Sequence, residues 1–433
     1  MNIDKLIKTK KAKVAVIGLG YVGLPLAMEI VNGGFSVVGI DVEKKKVNRI
    51  NRGSSPVLDV SDDILKNALN SKRFSSTTDY SILKKADIIT ICVPTPLRKT
   101  RDPDISYIIA AINNVKNFIR KGQLIILEST TYPGTTRELI KPTLESSGLK
   151  AGKDFFLAFS PERIDPGNKE FTTKNTPKVV GGISPKCTKI AALFYSQFID
   201  SVTEVSNSDS AEMVKLLENT FRSVNIGLVN EMALICDKLG INVWEVIDAA
   251  ATKPFGFMPF YPGPGLGGHC IPIDPHYLSW KLKELNFNAR FIELAGEVNS
   301  HMPEFVISKI TDSLNIRNKS VKGAKVLIIG VSYKRDINDM RESPALDIIG
   351  ILDEKGAKIS YYDPYIPSFT LKGKKYKSKN LTPNEIKNAD CVVITTNHSC
   401  IDYEKVVKHS KLIVDTRNAL KNFKRNRKKI VLL

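Results

Sequence analysis

The sequence has few cysteines, and none of them stands in a pattern that would form a disulfide framework or a zinc site. No CxxC pair and no repeated spacing joins them. Scattered cysteines of this kind are typical of proteins from a reducing compartment, so we expect a cytoplasmic protein without a metal site. The six are Cys92, Cys187, Cys236, Cys270, Cys391 and Cys400.

The sequence also lacks an uninterrupted hydrophobic segment long enough to cross a membrane. Its longest apolar run, residues 14–31, is broken by three glycines, by Pro25 and by Glu29, whereas a membrane-spanning helix needs about 20 consecutive apolar residues. The first residues are polar, so we expect no signal peptide. We therefore expect no membrane among the partners of this protein.

Positive charge is in excess, but it is not concentrated. The chain has 64 Lys and Arg against 45 Asp and Glu, for a net charge of +19. A nucleic-acid-binding protein would gather such charge on one surface with aromatic residues between, whereas here the lysines are spread over every segment. We therefore expect no nucleic-acid partner and interpret the basic cluster at 421–429 as solvated. The positive field favours anionic small ligands.

The first third of the chain contains a glycine pattern typical of dinucleotide-binding sites. A β-branched run at 13–17 leads into GLGYVG, an apolar helical stretch follows, and a second strand ends in an aspartate. The first glycine makes the turn, the second lets the pyrophosphate approach, and the third lets the helix pack on the strand. The aspartate favours NAD over NADP, although Lys44 to Lys46 leave NADP open. The predicted contacts are Gly18, Gly20, Tyr21, Val22, Gly23 and Asp41.

Two further parallel strands are predicted at 86–93 and 123–128. In a doubly wound sheet, ligands lie beyond the carboxyl ends of the strands. Thr95 and Thr130 follow these two strands, so we expect their hydroxyls at the cofactor. Helix capping or turn formation is the alternative for both.

A strand predicted at 155–159 leads into a loop with two carboxylates, Glu162 and Asp165. The loop should lie at the same edge of the sheet as the predicted cofactor contacts. One of the two acids would suit the work of a general base. The alternative is that both are simply solvated.

A long helical pattern runs from Ser208 to Leu239. Lys215 and Asn219 lie one turn apart on it and could jointly donate hydrogen bonds to an oxyanion. Otherwise both are ordinary surface residues. We expect the helix to link two domains and to offer a dimerisation surface. Its predicted core stripe comprises Met213, Leu216, Leu217, Val224, Leu228 and Met232.

The segment from Pro262 to Pro275 packs four glycines and four prolines around one cysteine, Cys270, with Asp274 four residues later. Glycine has no Cβ to block a ligand, and proline fixes the turns around it. The thiol can therefore meet a ligand at close range. The alternative is that Cys270 is an ordinary small apolar residue.

The last third of the chain is predicted to form a second strand and helix unit. It lacks a GxGxxG motif, so we expect it to hold no dinucleotide of its own. Together the patterns predict an α/β protein with two Rossmann-like, doubly wound domains, joined by a long central helix and a helical middle domain. The predicted domains are 1–205, 206–315 and 316–433, and the last has predicted strands at 324–330, 358–362, 390–395 and 412–415 and a helix at 344–354.

Seven motifs in fixed order give the chain a resemblance to a known family. The sequence is similar to the nucleotide-sugar 6-dehydrogenases, the family of the UDP-glucose and GDP-mannose dehydrogenases, over nearly its whole length. It looks most like the branch that acts on UDP-N-acetylhexosamines, with UDP-N-acetylglucosamine (UDP-GlcNAc) the substrate we expect first. The motifs are GLGYVGLP, VPTP, ESTTYPG, the SPE loop, the helix with Lys215 and Asn219, GLGGHCIPIDP and YKRDINDMRESP.

The resemblance implies a four-electron oxidation of the C6 hydroxymethyl group to a carboxylate, with NAD as cofactor, for surface polysaccharide biosynthesis. Cys270 would trap the intermediate aldehyde as a thiohemiacetal, which becomes a thioester that water cleaves. Lys215 and Asn219 would stabilise the oxyanions, and Asp274 would order or activate water. The implied catalytic set is completed by Glu162 and Thr130 in the acid–base and water network.

The resemblance also implies ligand contacts and an assembly. It implies that the middle domain is the site of dimerisation and carries the catalytic cysteine, and that the last domain binds UDP. It also implies that the protein is a homodimer or a larger oligomer built from dimers. Arg341 is implied to reach the cofactor, and cationic side chains suit a diphosphate. The implied UDP-sugar contacts are Glu162, Arg163, Lys215, Asn219, Tyr261, Gly265, Gly267, Lys334 and Arg417.

Departures from the family pattern keep alternatives open. UDP-glucose dehydrogenases commonly carry lysine where this chain has Ile273, and their SPE loop continues differently from residues 163–166. The same chemistry on UDP-ManNAc, UDP-GalNAc or UDP-glucose is one alternative. A two-electron hydroxyacid dehydrogenase would have no use for Cys270, and a non-catalytic NAD-sensing or nucleic-acid-binding module would need neither Cys270 nor Lys215.

Overall fold

The computed structural model describes residues 2–57, 59–96, 102–165, 168, 170–423 and 426–433. Parts of the SPE loop (166, 167 and 169) and of the basic cluster (424 and 425) lie outside the described residues. The chain forms two compact units. The first extends to Glu218 and includes His276–Phe287, and the second comprises Asn219–Pro275 and Asn288–Leu433. The predicted domain boundaries stay a prediction.

An eight-stranded sheet forms the centre of the first unit. Its strands are β1 (Lys13–Ile17), β2 (Ser36–Ile40), β3 (Phe74–Thr77), β4 (Ile88–Ile91), β5 (Leu124–Leu127), β6 (Phe156–Phe159), β7 (Lys178–Gly182) and β8 (Val202–Glu204). The order is β3-β2-β1-β4-β5-β6-β7-β8, and the first six strands pair in parallel. This is the Rossmann order, which reverses between β1 and β4. Strands β3, β7 and β8 were not predicted, and β7 departs from the parallel pattern because it runs antiparallel to β6.

The strand register brings the ligand-facing loops of this sheet to one edge. Ile17, the last residue of β1, pairs with Ile40 and Ile91 at the ends of β2 and β4. Leu127 and Phe159, which end β5 and β6, continue the same row. The loops that follow these five strands therefore begin side by side, at the edge where such sheets bind their ligands.

Seven α-helices accompany this sheet within the described residues, together with a 3₁₀ helix (Tyr80–Lys85) and a π-helix (Thr135–Ile140). The α-helices are α1 (Ile3–Lys8), α2 (Gly23–Asn32), α3 (Lys44–Asn51), α4 (Asp62–Asn70), α5 (Ser106–Phe118), α6 (Lys141–Glu145) and α7 (Pro185–Tyr195). Helix α7 begins as its sequence dictates, because the hydroxyl of Ser184 accepts the N–H of Cys187 and proline occupies the first turn. Alternate residues of β1 enter two separate apolar cores, Val14 and Val16 in one and Ala15 and Ile17 in the other. The sheet is therefore covered on both faces.

The long predicted helix exists as α8 (Ser208–Leu239), but its predicted core stripe is partly wrong. Leu216 is fully buried, whereas Met213, Leu217 and Leu228 are 37%, 60% and 55% exposed. Helical spacing shows which residues share a face, but it does not show which apolar face meets the core. In this chain α8 carries a second apolar face directed outward.

Three further helices follow along the chain, and the second unit contains a five-stranded parallel sheet. The helices are α9 (Val243–Ala250), α10 (Asp274–Lys283) and α11 (Arg290–Asn315). The sheet strands are β9 (Lys325–Ile329), β10 (Lys358–Tyr362), β13 (Cys391–Ile394), β14 (Ile413–Asp415) and β15 (Ile430–Leu432), with a separate hairpin of β11 (Ser368–Leu371) and β12 (Lys374–Lys377). The order is β10-β9-β13-β14-β15, with the reversal between β9 and β13.

Helices α12 (Pro344–Glu354), α13 (Pro383–Asn388) and α14 (Tyr403–His409) complete the second unit. Alternate residues of β9 again enter two cores, Val326 and Ile328 in one and Leu327 and Ile329 in the other. The predicted fold class is confirmed. None of the helices in the described ranges has the length and apolar character needed to cross a membrane.

Candidate active site

The glycine turn after β1 is closely packed at two of its glycines and open at the third. Gly18 has φ +92°, and a Cβ there would lie 2.5 Å from the carbonyl oxygen of Cys92. A Cβ on Gly23 would lie 1.8 Å from the carbonyl oxygen of Gly18, so this position must also be glycine. At Gly20, by contrast, a Cβ would meet nothing within 4 Å. Gly20 therefore leaves open the space into which the pyrophosphate of NAD is expected to fit.

Asp41 stands immediately after β2 and is 6% exposed. Its carboxylate accepts the backbone N–H groups of Leu19 and Glu43, both at 3.0 Å. Lys46 lies 2.9 Å from the same carboxylate, a pairing that the sequence did not predict. A carboxylate has about four acceptor positions, so these three partners leave room for a ribose hydroxyl. The arrangement fits the predicted role of Asp41 and sets a positive charge beside it.

The other predicted cofactor contacts differ in exposure. Tyr21 is 39% exposed, while Val22 is partly buried against the core of the first unit. Thr95 is buried, and its carbonyl oxygen accepts the hydroxyl of Tyr277 at 2.6 Å. Thr130 is half-buried in the loop after β5. All four stand next to strand ends at the same edge of the sheet.

Glu162 is held by its own loop and by α8. It is 8% exposed, and its Oε1 accepts the backbone N–H groups of Arg163 and Ile164 at 2.7 and 2.6 Å. The ammonium of Lys215 donates to the carbonyl oxygen of Glu162 at 2.5 Å. The structure therefore brings together two predicted catalytic residues that are far apart in sequence.

Arg163 has partners within the first unit. Its guanidinium pairs with Glu218 at 2.7 Å and donates to the carbonyl oxygen of Pro177 at 2.6 Å. The second loop acid, Asp165, is half-buried and accepts the amide of Asn168 at 3.3 Å. Of the two candidate bases on this loop, Glu162 is the buried one.

Sequence reasoning missed Glu212, a fully buried residue one turn before Lys215 on α8. Its carboxylate accepts the backbone N–H of Gly134 at 2.6 Å and both the N–H and the hydroxyl of Thr136, at 2.8 and 2.6 Å. Burial raises the pKa of Glu212 to about 7, although these hydrogen bonds act to lower it. The only signal for Glu212 in the sequence would have been an acidic residue beside the apolar stripe predicted on the same helix.

In the second unit, the glycines of the cysteine loop allow a close approach between two chain segments. A Cβ on Gly267 would lie 2.6 Å from the Cβ of Tyr333. Gly268, at φ +87°, donates its N–H to the carbonyl oxygen of Arg341 at 2.9 Å. Gly265, at φ +134°, lies against Pro344. These glycines therefore allow the loop to pack against the segment that precedes α12.

Cys270 is exposed at the end of this loop. Its carbonyl oxygen accepts the N–H of Asp274 at 2.8 Å, in the turn that starts α10. Asp274 is 2% exposed, and its Oδ2 accepts the amide of Asn219 at 2.5 Å. Burial and the charge of Arg341 lower the pKa of the adjacent His269. The structure thus joins three predicted catalytic residues, Cys270, Asp274 and Asn219, through a short chain of contacts.

The predicted cations of the last domain are partly engaged with protein groups. Arg417 donates from Nε to the carbonyl oxygen of Thr395 at 2.9 Å, and burial lowers its pKa to about 10. Arg341 pairs with Asp339 at 2.6 Å, and Lys334 is half-buried. Each lies at or just after the loops that follow the strand ends of the five-stranded sheet, as expected for a diphosphate site.

Tyr261, an implied substrate contact, is held by residues of α9. It is 46% exposed, donates its hydroxyl to Asp248 at 2.7 Å and stacks on Trp244 with ring centroids 5.9 Å apart. The structure therefore anchors this residue on α9.

The second sheet also has an aspartate at the end of its second strand, as the first has Asp41. Asp363 follows β10, and its Oδ2 accepts the N–H groups of Val331 and Ser332 at 2.7 and 3.1 Å. The buried ring of His398 lies 3.1 Å from the same oxygen. His398 and the backbone therefore surround the carboxylate that corresponds in position to Asp41.

Profiles of three domains of one family match the chain in order. The NAD binding domain of the UDP-glucose/GDP-mannose dehydrogenase family matches residues 12–199, the central domain residues 209–301, and the UDP binding domain residues 327–422. These matches confirm the predicted family and NAD as the predicted cofactor.

Individual relatives match over nearly the whole chain. A UDP-N-acetyl-D-mannosamine dehydrogenase of Methanococcus vannielii is 38% identical over 431 residues, which cover 96% of this chain and 95% of the relative. A UDP-N-acetyl-D-glucosamine 6-dehydrogenase of Pseudomonas aeruginosa is 37% identical over 359 residues, or 82% of this chain and 84% of the relative. The solved UDP-D-ManNAc dehydrogenase of Pyrococcus horikoshii superposes with a TM-score of 0.88 at 34% identity, covering 97% of this chain and 98% of that one. The chain therefore belongs to the UDP-glucose/GDP-mannose dehydrogenase family and is an NAD-dependent nucleotide-sugar oxidoreductase.

Proposed function

We propose that this protein oxidises C6 of a UDP-N-acetylhexosamine to the carboxylate through a covalent intermediate on Cys270. One observation carries the proposal: the exposed Cys270 lies in a turn closed by Asp274, and Asp274 accepts the amide of Asn219 at 2.5 Å. A nucleophile beside a buried carboxylate and an amide donor is an arrangement suited to acyl chemistry and to hydrolysis.

The residues of the first unit would bind the cofactor. The turn at Gly18, Gly20 and Gly23 would hold the pyrophosphate, and Asp41 the ribose. Bound NAD would supply a hydride acceptor at C6, once in each of two oxidations. Arg341, implied by the resemblance as a cofactor contact, stays a prediction.

The covalent steps balance as follows: one alcohol, two NAD⁺ and one water give one carboxylate, two NADH and three protons. The first oxidation removes a proton from the C6 hydroxyl and a hydride from C6, which leaves an aldehyde. The thiolate of Cys270 then bonds to the aldehyde carbon and forms a thiohemiacetal. Loss of the second hydride gives a thioester, and attack by water breaks the carbon–sulfur bond and returns the thiol.

Side chains on and near α8 would stabilise the charges that develop. An ammonium has three donors and an amide two. Lys215 gives one donor to the carbonyl oxygen of Glu162, and Asn219 gives one to Asp274, so each has a further donor for an oxyanion at C6. Asp274 would activate the hydrolytic water, and Glu162 with Thr130 would complete the proton and water network.

Cationic groups beyond the second sheet would bind the UDP moiety. Lys334 and Arg417 offer an ammonium and a guanidinium, which suit a diphosphate. The match of this region to the UDP binding domain of the family supports the assignment. Gly265, Gly267, Arg163 and Tyr261 stay predicted sugar contacts.

Among the hexosamines, we favour UDP-ManNAc. The relatives from M. vannielii and P. horikoshii, which match this chain from end to end, are UDP-ManNAc dehydrogenases. The P. aeruginosa relative acts on UDP-GlcNAc, the substrate expected from the sequence, but it matches a smaller share of the chain. The uronate product would serve surface polysaccharide synthesis.

Comparison of kcat/KM for UDP-ManNAc, UDP-GlcNAc, UDP-GalNAc and UDP-glucose tests the substrate. We expect UDP-ManNAc to be used best and UDP-glucose worst. A preference for UDP-GlcNAc would correct the epimer but keep the reaction. Oxidation of a free hydroxyacid with no activity on any UDP-sugar would contradict the proposed function.

The outward face of α8 supports the predicted homodimer. Phe221, Leu228 and Ile235 recur every seventh residue and are 47%, 55% and 42% exposed. Apolar side chains in such a row favour helix packing, and a second copy of this chain offers a matching row across a two-fold axis. Sedimentation should give twice the chain mass of 48.0 kDa, or a larger even multiple for an oligomer built from dimers, whereas the mass of one chain would contradict the assembly.

A further inference from the structure

A cluster of buried ionisable residues lies behind Glu162 in the first unit. Glu128 and Tyr195 are fully buried, Lys178 is 4% exposed and Glu162 is 8% exposed. They come from four separate places in the chain: the end of β5, the end of α7, the start of β7 and the loop after β6. Buried charges are costly unless they are paired, so the arrangement calls for an explanation.

Lys178 lies between the two carboxylates but not midway. Its Nζ is 2.6 Å from Oε2 of Glu128 and 3.5 Å from Oε2 of Glu162. The hydroxyl of Tyr195 donates to Oε1 of Glu128, and its ring lies 5.3 Å below the ammonium. Lys178 therefore forms a direct ion pair with Glu128 and acts on Glu162 at longer range, mainly through its charge.

The three oxygens of Glu162 have different partners. The main-chain oxygen accepts Lys215, and Oε1 accepts the N–H groups of Arg163 and Ile164. Oε2 faces Lys178 at a distance that is the upper limit for a hydrogen bond. This oxygen is thus oriented by the loop and faces a positive charge, without being held in a tight ion pair.

We propose that Lys178 is a positioning residue for Glu162, and that Glu128 and Tyr195 hold Lys178 back from it. Lys178 sets a positive charge beside the buried carboxylate of Glu162. Glu128 draws the ammonium away, which keeps Oε2 of Glu162 able to accept a proton or a hydrogen bond during the reaction. The inference rests on the proposed function, in which Glu162 belongs to the proton and water network.

Of the ionisable groups around Glu162, Lys178, Cys92 and Tyr195 hold constant charges over the working pH range, while burial raises the pKa of Glu128. Burial would lower the pKa of Lys178, but the two carboxylates raise it further, so the ammonium persists. Burial first, and Glu128 second, raise the pKa values of Cys92 and of Tyr195, so both stay neutral. Lys215 and Arg163 act on Glu162 from α8 and from the adjoining residue. A shift in the pH profile can therefore be traced to Lys178 and Glu128.

The proposal predicts opposite pH shifts for two single substitutions. In Lys178→Met, two buried carboxylates face each other without a cation. The acid limb of the kcat profile, the pH range in which kcat declines as pH falls, should therefore move up by about one pH unit. In Glu128→Gln, Lys178 is released toward Glu162, so the acid limb should move down and kcat should fall about threefold to tenfold. In the double variant both effects are removed, and the limb should return toward that of the unmodified protein.

The experiment records kcat against pH for the three variants and for Lys189→Met, an exposed lysine on α7 that serves as control. KM for the UDP-sugar should change little. Equal, pH-independent losses of kcat in all three variants would mean that Lys178 and Glu128 have a purely structural role, and would overturn the proposal. If Lys178→Met fails to fold, Glu128→Gln alone tests the proposal. An unchanged acid limb in Glu128→Gln would then overturn the proposal.

A second measurement separates this inference from the proposed function. Infrared difference titration of the substrate-free protein, with Glu162→Gln to assign the carboxyl band, reports the protonation of Glu162 directly. The same opposite shifts should be seen there even if no UDP-sugar is oxidised. Should the band shift as expected while Glu162→Gln keeps full activity, the positioning role would stand and the catalytic role of Glu162 would fail. Absence of both shifts would contradict the positioning role.

Discussion

The amide of Asn219 donates to Oδ2 of Asp274 at 2.5 Å, and both side chains are buried. The two residues lie 55 positions apart in the sequence. Asp274 also closes the turn at Cys270 through its backbone N–H. The proposed oxyanion donor and the proposed water-activating carboxylate are thus a single hydrogen-bonded unit next to the nucleophile.

The hydrogen-bonded pair of Asn219 and Asp274 should act as one group in catalysis. Asn219→Ala should lower kcat by about 100-fold or more, because a lost oxyanion donor typically costs that much. Asp274→Asn should lower kcat by a similar factor, because a general base typically contributes about 100-fold or more. The double variant should be little worse than the poorer single one, since groups that act together are not additive. Steady-state kinetics, with Asn225→Ala on the same helix as control, would check this. Fully multiplicative losses would show that the two residues act independently.

The second prediction separates two glycines of the cofactor turn. Gly20→Ala should fold normally, because its Cβ meets nothing within 4 Å, and should raise KM for NAD. Gly23→Ala should destabilise the protein, because its Cβ would lie 1.8 Å from a backbone oxygen. Thermal unfolding and NAD titration measure the two effects. An unchanged KM for Gly20→Ala would argue against phosphate binding at this turn.

The third prediction concerns the pH dependence of stability. Burial raises the pKa of Glu212 to about 7, above the value near 4.3 expected for an unfolded chain. The folded protein therefore binds more protons between these values, and its stability should fall as pH rises from about 4.5 to about 7.

Glu212→Gln should remove this contribution and give a shallower decline of the denaturation midpoint over the same range. Glu204→Gln, an exposed residue of the same unit, should leave the slope unchanged. Identical slopes for Glu212→Gln and the unmodified protein would mean that Glu212 is ionised throughout.

Much of the fold could be predicted from local sequence. The strand at Lys13–Ile17 and the helices at Ser208–Leu239 and Pro344–Glu354 have the predicted bounds, because apolar runs, glycine turns and helix starts are local signals. Strand β15 was missed, since it has only three residues after a basic cluster and is stabilised by pairing with β14. The exposed face of α8 was misjudged because periodicity alone does not identify what a face contacts.

The candidate site was predicted as a set of residues but not as a set of contacts. The motifs supplied Glu162, Lys215, Asn219 and Asp274. They did not indicate that Lys215 binds the main chain of Glu162, a contact between residues 53 apart. Such partners are set by tertiary packing, which a single sequence does not record. The Lys178 and Glu128 pair was missed for the same reason.

The number of NADH molecules formed per UDP-ManNAc consumed tests the central claim most directly. Two NADH should form with the unmodified protein and with Cys400→Ser, a control at the other exposed cysteine. Cys270→Ser should fail to complete the second oxidation, because a hydroxyl is a weaker nucleophile than a thiolate. One NADH per sugar in the unmodified protein, or two at a near-normal rate in Cys270→Ser, would contradict the covalent four-electron mechanism.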